Sequence, residues 1–248
     1  MIATSQDLKK VSKFQLLDSN RPEIASVKTS SFSPKKEQII YENKGRYTGA
    51  VDSQRRPHGI GKFEFLDDSV YIGEFKNGAI SGKGCIEDES IGYRYKGDWL
   101  NWEKNGPGIE EITKKGKTEI FEGRFKNDLR EGYGKLIYRN GDTYTGYFAE
   151  GKRNGHGILN WVDGQKYEGN WVRGKMYGQG RMEYANGDWC AGFFKEEGLD
   201  GDGKYYNFEK RELYSGGFNR GKRHGLGVLT DNVNDSPKNV LYDRGNLI

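Results

Sequence analysis

Proline and cysteine are scarce in this chain: 5 and 2 residues of 248. Two thiols cannot make a disulfide framework, and residues 1–7 show no basic stretch followed by an apolar one, so the expectation is a reduced, cytoplasmic setting. No apolar run approaches the ~18 residues of a membrane-spanning helix. Aliphatic residues are thin too. Leu, Ile, Val and Phe fill 50 positions, at the roughly 20 % border of disordered compositions, which excludes a thick aliphatic core. Charge is not one-sided: 40 basic and 36 acidic residues leave +4, without the footprint of a nucleic-acid binder. What abounds is glycine, 37 residues, about twice the usual ~7 % share, together with 13 % aromatics. Collagen is excluded by the lack of a triplet period and of proline, and a flexible Gly/Ser linker by the rings.

The glycines are periodic. An aromatic-x-Gly-x-aromatic element followed by Gly-x-Gly recurs eight times, with first glycines Gly49, Gly73, Gly97, Gly123, Gly146, Gly169, Gly192 and Gly216, 23 to 26 residues apart. The Gly-x-Gly pairs run from Gly59/Gly61 to Gly225/Gly227. Side-chain character alternates with period two, the signature of strands. Tyr71, Gly73 and Phe75 share one face with Gly82, Gly84 and Ile86, opposite a mostly charged face. Asn140-Gly141, Asp163-Gly164 and Asn186-Gly187 between repeats read as type I′ hairpin turns, and the loops within repeats read as longer. A ring can lie over the hollow that a glycine leaves on the pleat. The expectation is an all-β, elongated, single-layer antiparallel sheet of about eight stacked hairpins, twisted and grooved, with stability supplied by stacking.

This pattern resembles the MORN (membrane occupation and recognition nexus) repeat, Tyr-x-Gly-x-Trp/Phe-x-x-Gly continuing to Gly-x-Gly, as in Tyr71–Gly78 and in Tyr144–Gly151 followed by Gly155-His156-Gly157. Departures occur at Val51 and Cys190 in the ring positions and at Trp102 and Asp128 in place of the loop glycine. A kink is expected near repeat three, where the spacing is longest. The domain reading is a polar arm at 1–38, the repeat array at 39–230, and a degenerate half-repeat at 231–248 that caps the last edge. The resemblance implies the settings of that family: radial spoke heads and other parts of cilia and flagella, cytoskeletal rings, and membrane-bridging proteins.

Chemistry is sparse. Three Gly-x4-Gly-Lys matches (Gly146–Lys152, Gly169–Lys175, Gly216–Lys222) lack the following Ser or Thr of a phosphate loop and sit on hairpins. His58, His156 and His224 fall in separate repeats, so neither a metal cluster nor a catalytic triad is expected, and no cofactor. Glu110/Glu111 and Glu196/Glu197 read as solvated carboxylates. Binding surface remains. The candidate partner groove is walled by Tyr71, Phe75, Tyr95, Trp99, Phe121, Phe125, Tyr144, Phe148, Tyr167 and Trp171. A candidate basic edge carries Arg55, Arg56, Lys152, Arg153, Arg173, Lys175, Arg220, Lys222 and Arg223, aligned by hairpin stacking. The expected function is a non-enzymatic scaffold for other proteins of a multi-subunit assembly, in a ciliary axoneme or cytoskeleton and without nucleic acid. The alternative is a peripheral adaptor whose basic edge meets anionic phosphoinositide lipids.

Overall fold

The computed structural model describes residues 36–231 and 237–248, so most of the arm assigned to 1–38 lies outside the described residues. Repeat one is β2 (Gly45–Val51) and β3 (Pro57–Phe65), and repeat two is β4 (Val70–Lys76) and β5 (Ala79–Asp88). Repeats three and four are β6 (Tyr93–Leu100) with β7 (Glu103–Lys114), and β8 (Lys117–Lys126) with β9 (Leu129–Ile137). Repeats five and six are β10 (Thr143–Ala149) with β11 (Lys152–Asn160), and β12 (Lys166–Val172) with β13 (Lys175–Glu183). Repeats seven and eight are β14 (Trp189–Lys195) with β15 (Gly198–Asn207), and β16 (Glu212–Asn219) with β17 (Lys222–Asp231). The flanks are β1 (Glu37–Tyr41), which pairs with β2, and β18 (Pro237–Asp243) with the two-residue β19 (Asn246–Leu247). Every strand pairs antiparallel with its sequence neighbours, giving one open meander. β1 begins inside the stretch read as arm; the alternation of Ile39 and Tyr41, packed on the core, is its signal. β18 pairs with β17, and Tyr242 faces Gly225 at the position of a second ring.

The hairpin within each repeat carries a bulge that the sequence spacing hides. In repeat five Gly146 faces Gly157, but Phe148 faces Arg153, so β11 holds two more residues than β10 over this interval. Two extra residues preserve the face of everything beyond. The first glycine of each Gly-x-Gly sits in the bulge with positive φ, from 68° at Gly132 to 113° at Gly106. It does not share the ring face, as the simple alternation implied: a Cβ on Gly155 would approach Tyr147 on the opposite face at 3.4 Å. The second glycine is needed for space. A Cβ on Gly157 would stand 2.2 Å from the Tyr144 hydroxyl and 2.5 Å from its ring. Tyrosine therefore lies across both glycines of its own hairpin, and its hydroxyl donates to the carbonyl three residues on, opposite the bulge. Tyr144 to Tyr147 (3.0 Å), Tyr71 to Glu74 (3.1 Å) and Tyr167 to Asn170 (3.1 Å) repeat this bond, and Tyr47 donates to Ala50 in the same way. It answers a carbonyl that the bulge takes out of the ladder.

The rings then interlock edge to face, and where both positions hold rings each tyrosine meets the second ring of its own repeat and of the next. Tyr144 meets Phe148 at 5.2 Å and Trp171 at 5.4 Å, and Tyr167 meets Trp171 at 5.2 Å and Phe194 at 5.1 Å. This ladder, with glycine beneath it and Ile80, Leu136, Leu159, Met182 and Leu199 set among the rings, is the core of the sheet.

Turn assignments are reversed from expectation. The loops within repeats two to eight are the tight ones, and all but that of repeat seven have two consecutive positive-φ residues, as at Asn77-Gly78, Glu150-Gly151 and Arg173-Gly174, while the loop of repeat one is longer. At the Asn-Gly and Asp-Gly turns between repeats only the glycine has positive φ, and Gly141 N–H donates to Tyr138 O (2.9 Å), a three-residue loop; the Lys115-Gly116 turn between repeats three and four is instead a tight one, with positive φ at both residues. Trp102 and Asp128 accept positive φ (74° and 66°) where other repeats use glycine. The Trp102 ring packs edge-on against Phe63 at 5.6 Å. At repeat three the two additional residues lengthen the β7–β8 hairpin out to Lys114 and Lys117, and the glycine register runs through unbroken where a kink was expected.

Candidate functional site

The ten rings of the candidate groove are all buried: Tyr71, Tyr95, Phe121, Tyr144 and Tyr167 at 0 % exposure, Trp171 at 2 %, Phe75 and Phe125 at 3 %, Phe148 at 4 % and Trp99 at 8 %. They cover one another and the glycines, so a partner on this face meets the side chains standing around them. The most informative of these form one row, the residue that faces the second ring across each bulge. In order it reads Pro57, Ile80, Lys104, Arg130, Arg153, Met176, Leu199 and Arg223. Four of the eight are cations lying on rings. Lys104 Nζ is 5.0 Å from the Phe125 centroid, and the guanidinium carbons of Arg130, Arg153 and Arg223 are 4.9, 4.0 and 4.3 Å from Phe121, Trp171 and Tyr242. Arg153 and Arg223 thus belong to the ring face, not to the turn edge where stacking alone placed them. The sequence signal was available: the position lies two residues beyond each two-residue turn.

The first two cations are neutralised inside the face. Glu110 stands where other repeats place Ile86, Leu136 or Leu159, opposite Phe121. It is buried, contrary to its reading as a solvated carboxylate. Lys104 Nζ donates to Glu110 Oε1 (2.5 Å) and to the Tyr93 hydroxyl (3.1 Å), and Arg130 Nη2 donates to Glu110 Oε2 (2.9 Å) and Glu119 Oε1 (3.1 Å). Burial pushes the Glu110 carboxyl upward, but the Lys104 and Arg130 bonds outweigh it and hold the group below the usual carboxylate range.

Beyond this cluster, the ring face opens into a recess of 670 Å³ whose lining includes Tyr138, Arg139, Arg153, Trp161, Trp171 and Met176. Arg153 Nη2 donates to Gly174 O (2.8 Å). Arg139 has a buried Nε with no hydrogen-bond partner among the described residues.

The basic edge is largely compensated. Arg55 pairs with Glu37 (2.9 Å), Arg56 with Asp52 (2.8 Å) and Arg220 with Glu197 (3.0 Å), and Lys175 pairs with Glu196. Lys152, Arg173 and Lys222 are exposed on the turns without an ion pair within 4 Å among the described residues. The opposite face is less charged than its alternation suggested: Tyr133 and Tyr147, and Tyr177 and Phe193, form edge-to-face pairs at 5.4 and 5.5 Å. His224 lies 3.4 Å from Asp243, and neither Cys85 nor Cys190 is in a disulfide. Among the described residues, no group of three or more His, Cys, Asp or Glu could hold a metal ion.

A family model described as the MORN repeat matches residues 71–89, 121–143, 144–166, 167–189 and 214–236. Curated relatives include the protein named Alsin. The rat sequence is 33 % identical over 85 residues, and the mouse and human sequences are 32 % identical over the same length. Each match covers 33 % of this chain but only 5 % of the relative, so the chain corresponds to a small part of those proteins.

Proposed function

Taking as premise that this chain is a MORN-repeat protein, we propose that it is a non-catalytic scaffold that binds partner proteins on its ring face, within a ciliary axoneme or cytoskeletal assembly such as a radial spoke head. One observation supports the binding surface above all: eight equivalent positions stand in one row on the face of a single sheet, and four are cations seated on rings. A row fixed every two strands, roughly 10 Å apart at ~4.8 Å per strand, offers an extended partner regular anchor points. The ciliary setting rests on the family resemblance alone. Affinity purification of the tagged chain from ciliated cells tests it. Recovery of spoke or other axonemal proteins supports the reading, and recovery of vesicle or membrane-junction components instead overturns it. The membrane alternative draws on the edge residues Lys152, Arg173 and Lys222, and the ion pairs along the same edge weaken it. Flotation with phosphoinositide vesicles at physiological salt decides between the two.

A further inference from the structure

We propose that the recess on the ring face between repeats four and six is a carboxylate-binding site, in which Arg139 and Arg153 receive a Glu or Asp side chain from an acidic segment of a partner protein. This deepens the partner-binding reading and rests on it for its biological meaning. The argument begins with an imbalance within the cation row. Lys104 and Arg130 have carboxylates supplied by the chain itself, Glu110 and Glu119. Arg153, the next in the row, has no carboxylate within 4 Å among the described residues, and it spends one donor on the Gly174 carbonyl. Arg139 lines the same recess and has no carboxylate within 4 Å among the described residues, and its covered Nε, without an acceptor, marks a guanidinium that the fold leaves unanswered. Buried donors are normally answered, because leaving one unpaired is costly.

The acids that border the recess do not serve these arginines. Glu119 is held by Arg130, Glu196 by Lys175, and Asp142 accepts from the Asn140 amide (2.7 Å) and the Val162 backbone N–H (3.0 Å). A planar carboxylate matches the fork of a guanidinium, and the aliphatic arm of a glutamate suits the Trp161, Trp171 and Met176 side chains of the wall. A phosphoinositide headgroup fits less well. Its several phosphates would bring negative charge against Glu119, Asp142 and Glu196, whereas one carboxylate answers the two arginines alone.

The test uses the full chain labelled with 15N-arginine and reads the side-chain Nε–Hε signals. The probe is a blocked hexapeptide of sequence Glu-Ala-Leu-Glu-Ala-Leu, set against its Gln-for-Glu counterpart, inorganic phosphate, and phosphatidylcholine vesicles with and without a phosphoinositide. The Glu peptide is expected to shift the Arg139 and Arg153 signals and to bind at least fivefold more tightly than the Gln peptide. Arg139→Gln, at a side chain with no hydrogen bond among the described residues, and Arg153→Gln are each expected to weaken binding at least fivefold, while the distant Lys126→Gln leaves it unchanged. Equal binding of both peptides, no loss with Arg139→Gln, or an Arg139-dependent preference for phosphate or phosphoinositide vesicles would each overturn the site. Purification with Arg139→Gln separates this site from the broader reading. If wild type and variant capture the same axonemal proteins equally, the scaffold stands and the carboxylate site falls as its docking point. If wild type captures none, the scaffold reading falls, and the peptide titration still judges the recess.

Discussion

Replacing Gly157 by alanine should unseat a tyrosine, while the same change at Gly203 should cost almost nothing. At Gly157 the new Cβ would lie 2.2 Å from the Tyr144 hydroxyl oxygen and 2.5 and 2.6 Å from two ring carbons. Both glycines of the pair are locked in the ladder, so the ring has to move. Moving it sacrifices the bond to the Tyr147 carbonyl, about 1 kcal/mol. It also sacrifices two edge-to-face contacts, at about 0.5–1.5 kcal/mol each. Against this, alanine recovers roughly 0.5–1 kcal/mol through the unfolded chain. The net loss is about 1–3.5 kcal/mol by these increments. Gly203 occupies the same position in repeat seven, where Cys190 replaces tyrosine. Its Cβ would meet the Ala191 carbonyl at 3.0 Å and the Phe218 ring at 3.2 Å, relieved by a shift of tenths of an ångström. Urea unfolding followed by tryptophan fluorescence measures both, with hydrogen exchange to place the loss in β10–β12. In a Tyr144→Cys background, Gly157→Ala should fall below about 1 kcal/mol, which makes the coupling the signature of ring eviction. Equal penalties at Gly157 and Gly203, or additivity with Tyr144→Cys, would refute the reasoning.

Tyr144→Phe keeps the ring and leaves the Tyr147 carbonyl unanswered, so a loss of about 1–2 kcal/mol is expected. Phe121→Tyr should gain less than about 0.5 kcal/mol, because in repeat four Arg124 already pairs with Glu131 beside the bulge; urea midpoints read both. Glu110→Gln strands Lys104 and Arg130 beside Glu119 and should cost roughly 3 kcal/mol at neutral pH, the scale of a broken buried pair. Because the folded-state Glu110 carboxyl titrates lower than in the unfolded chain, its contribution is present above the ordinary glutamate range and fades as pH falls through the folded value. The variant should therefore lose part of the acid limb of the stability profile, below the ordinary glutamate range. At the alkaline end, burial pushes the Tyr47 and Tyr167 hydroxyls up to about 12. Folded-state values raised above the unfolded ~10 mean that stability falls as pH climbs from about 10 through 12. Absorbance titration at 295 nm should show delayed ionisation that collapses to about pH 10 in urea.

The repeat period, the strand faces and the identity of the core rings were legible because period two and the Gly-x-Gly interval survive every departure from consensus. The bulge was not. Its two extra residues leave parity intact, so Gly82, Gly84 and Ile86 look like one continuous face although Gly82 has turned to the other side. Turn types inverted for a related reason: a glycine at the second position of Asn-Gly is compatible with either loop length, and pairing decides which strands it joins. Glu110 escaped notice because charge in a strand reads as solvent-facing unless its partners are known, and Lys104 and Arg130 lie 6 and 20 residues away in sequence. The cation row became visible only after the bulge had been placed, since Arg153 lies next to exposed Lys152 in the chain.

Uniform consensus would give a uniformly stable array, and repeat seven departs from it at the tyrosine position, which holds Cys190. Cys190 supplies neither the hydroxyl bond nor the ring that would meet Phe218, so among the described residues the ring ladder runs from Tyr47 to Phe194 and resumes at Tyr214. A second row of bonds is interrupted nearby. The second residue of each two-residue turn donates its N–H to the preceding repeat, as Gly151 does to Arg130 (3.0 Å), Gly174 to Arg153 (2.8 Å) and Gly221 to Leu199 (2.8 Å), but Glu197, the equivalent residue of repeat seven, makes no such bond to Met176. One missing ring contact and two missing hydrogen bonds amount to about 2 kcal/mol of nearest-neighbour stabilisation. Because such arrays lose structure unit by unit from their weakest interface, β16–β18 should open ahead of β2–β4, which lie comparably far from an end of the sheet. At equilibrium exchange, 2 kcal/mol corresponds to roughly 30-fold faster deuterium uptake. Mass spectrometry of peptides from the two ends measures the ratio. Equal uptake, or slower uptake in β16–β18, would mean that Leu199 and Phe218, packed into the space left by the absent ring, fully replace what the tyrosine ladder provides elsewhere.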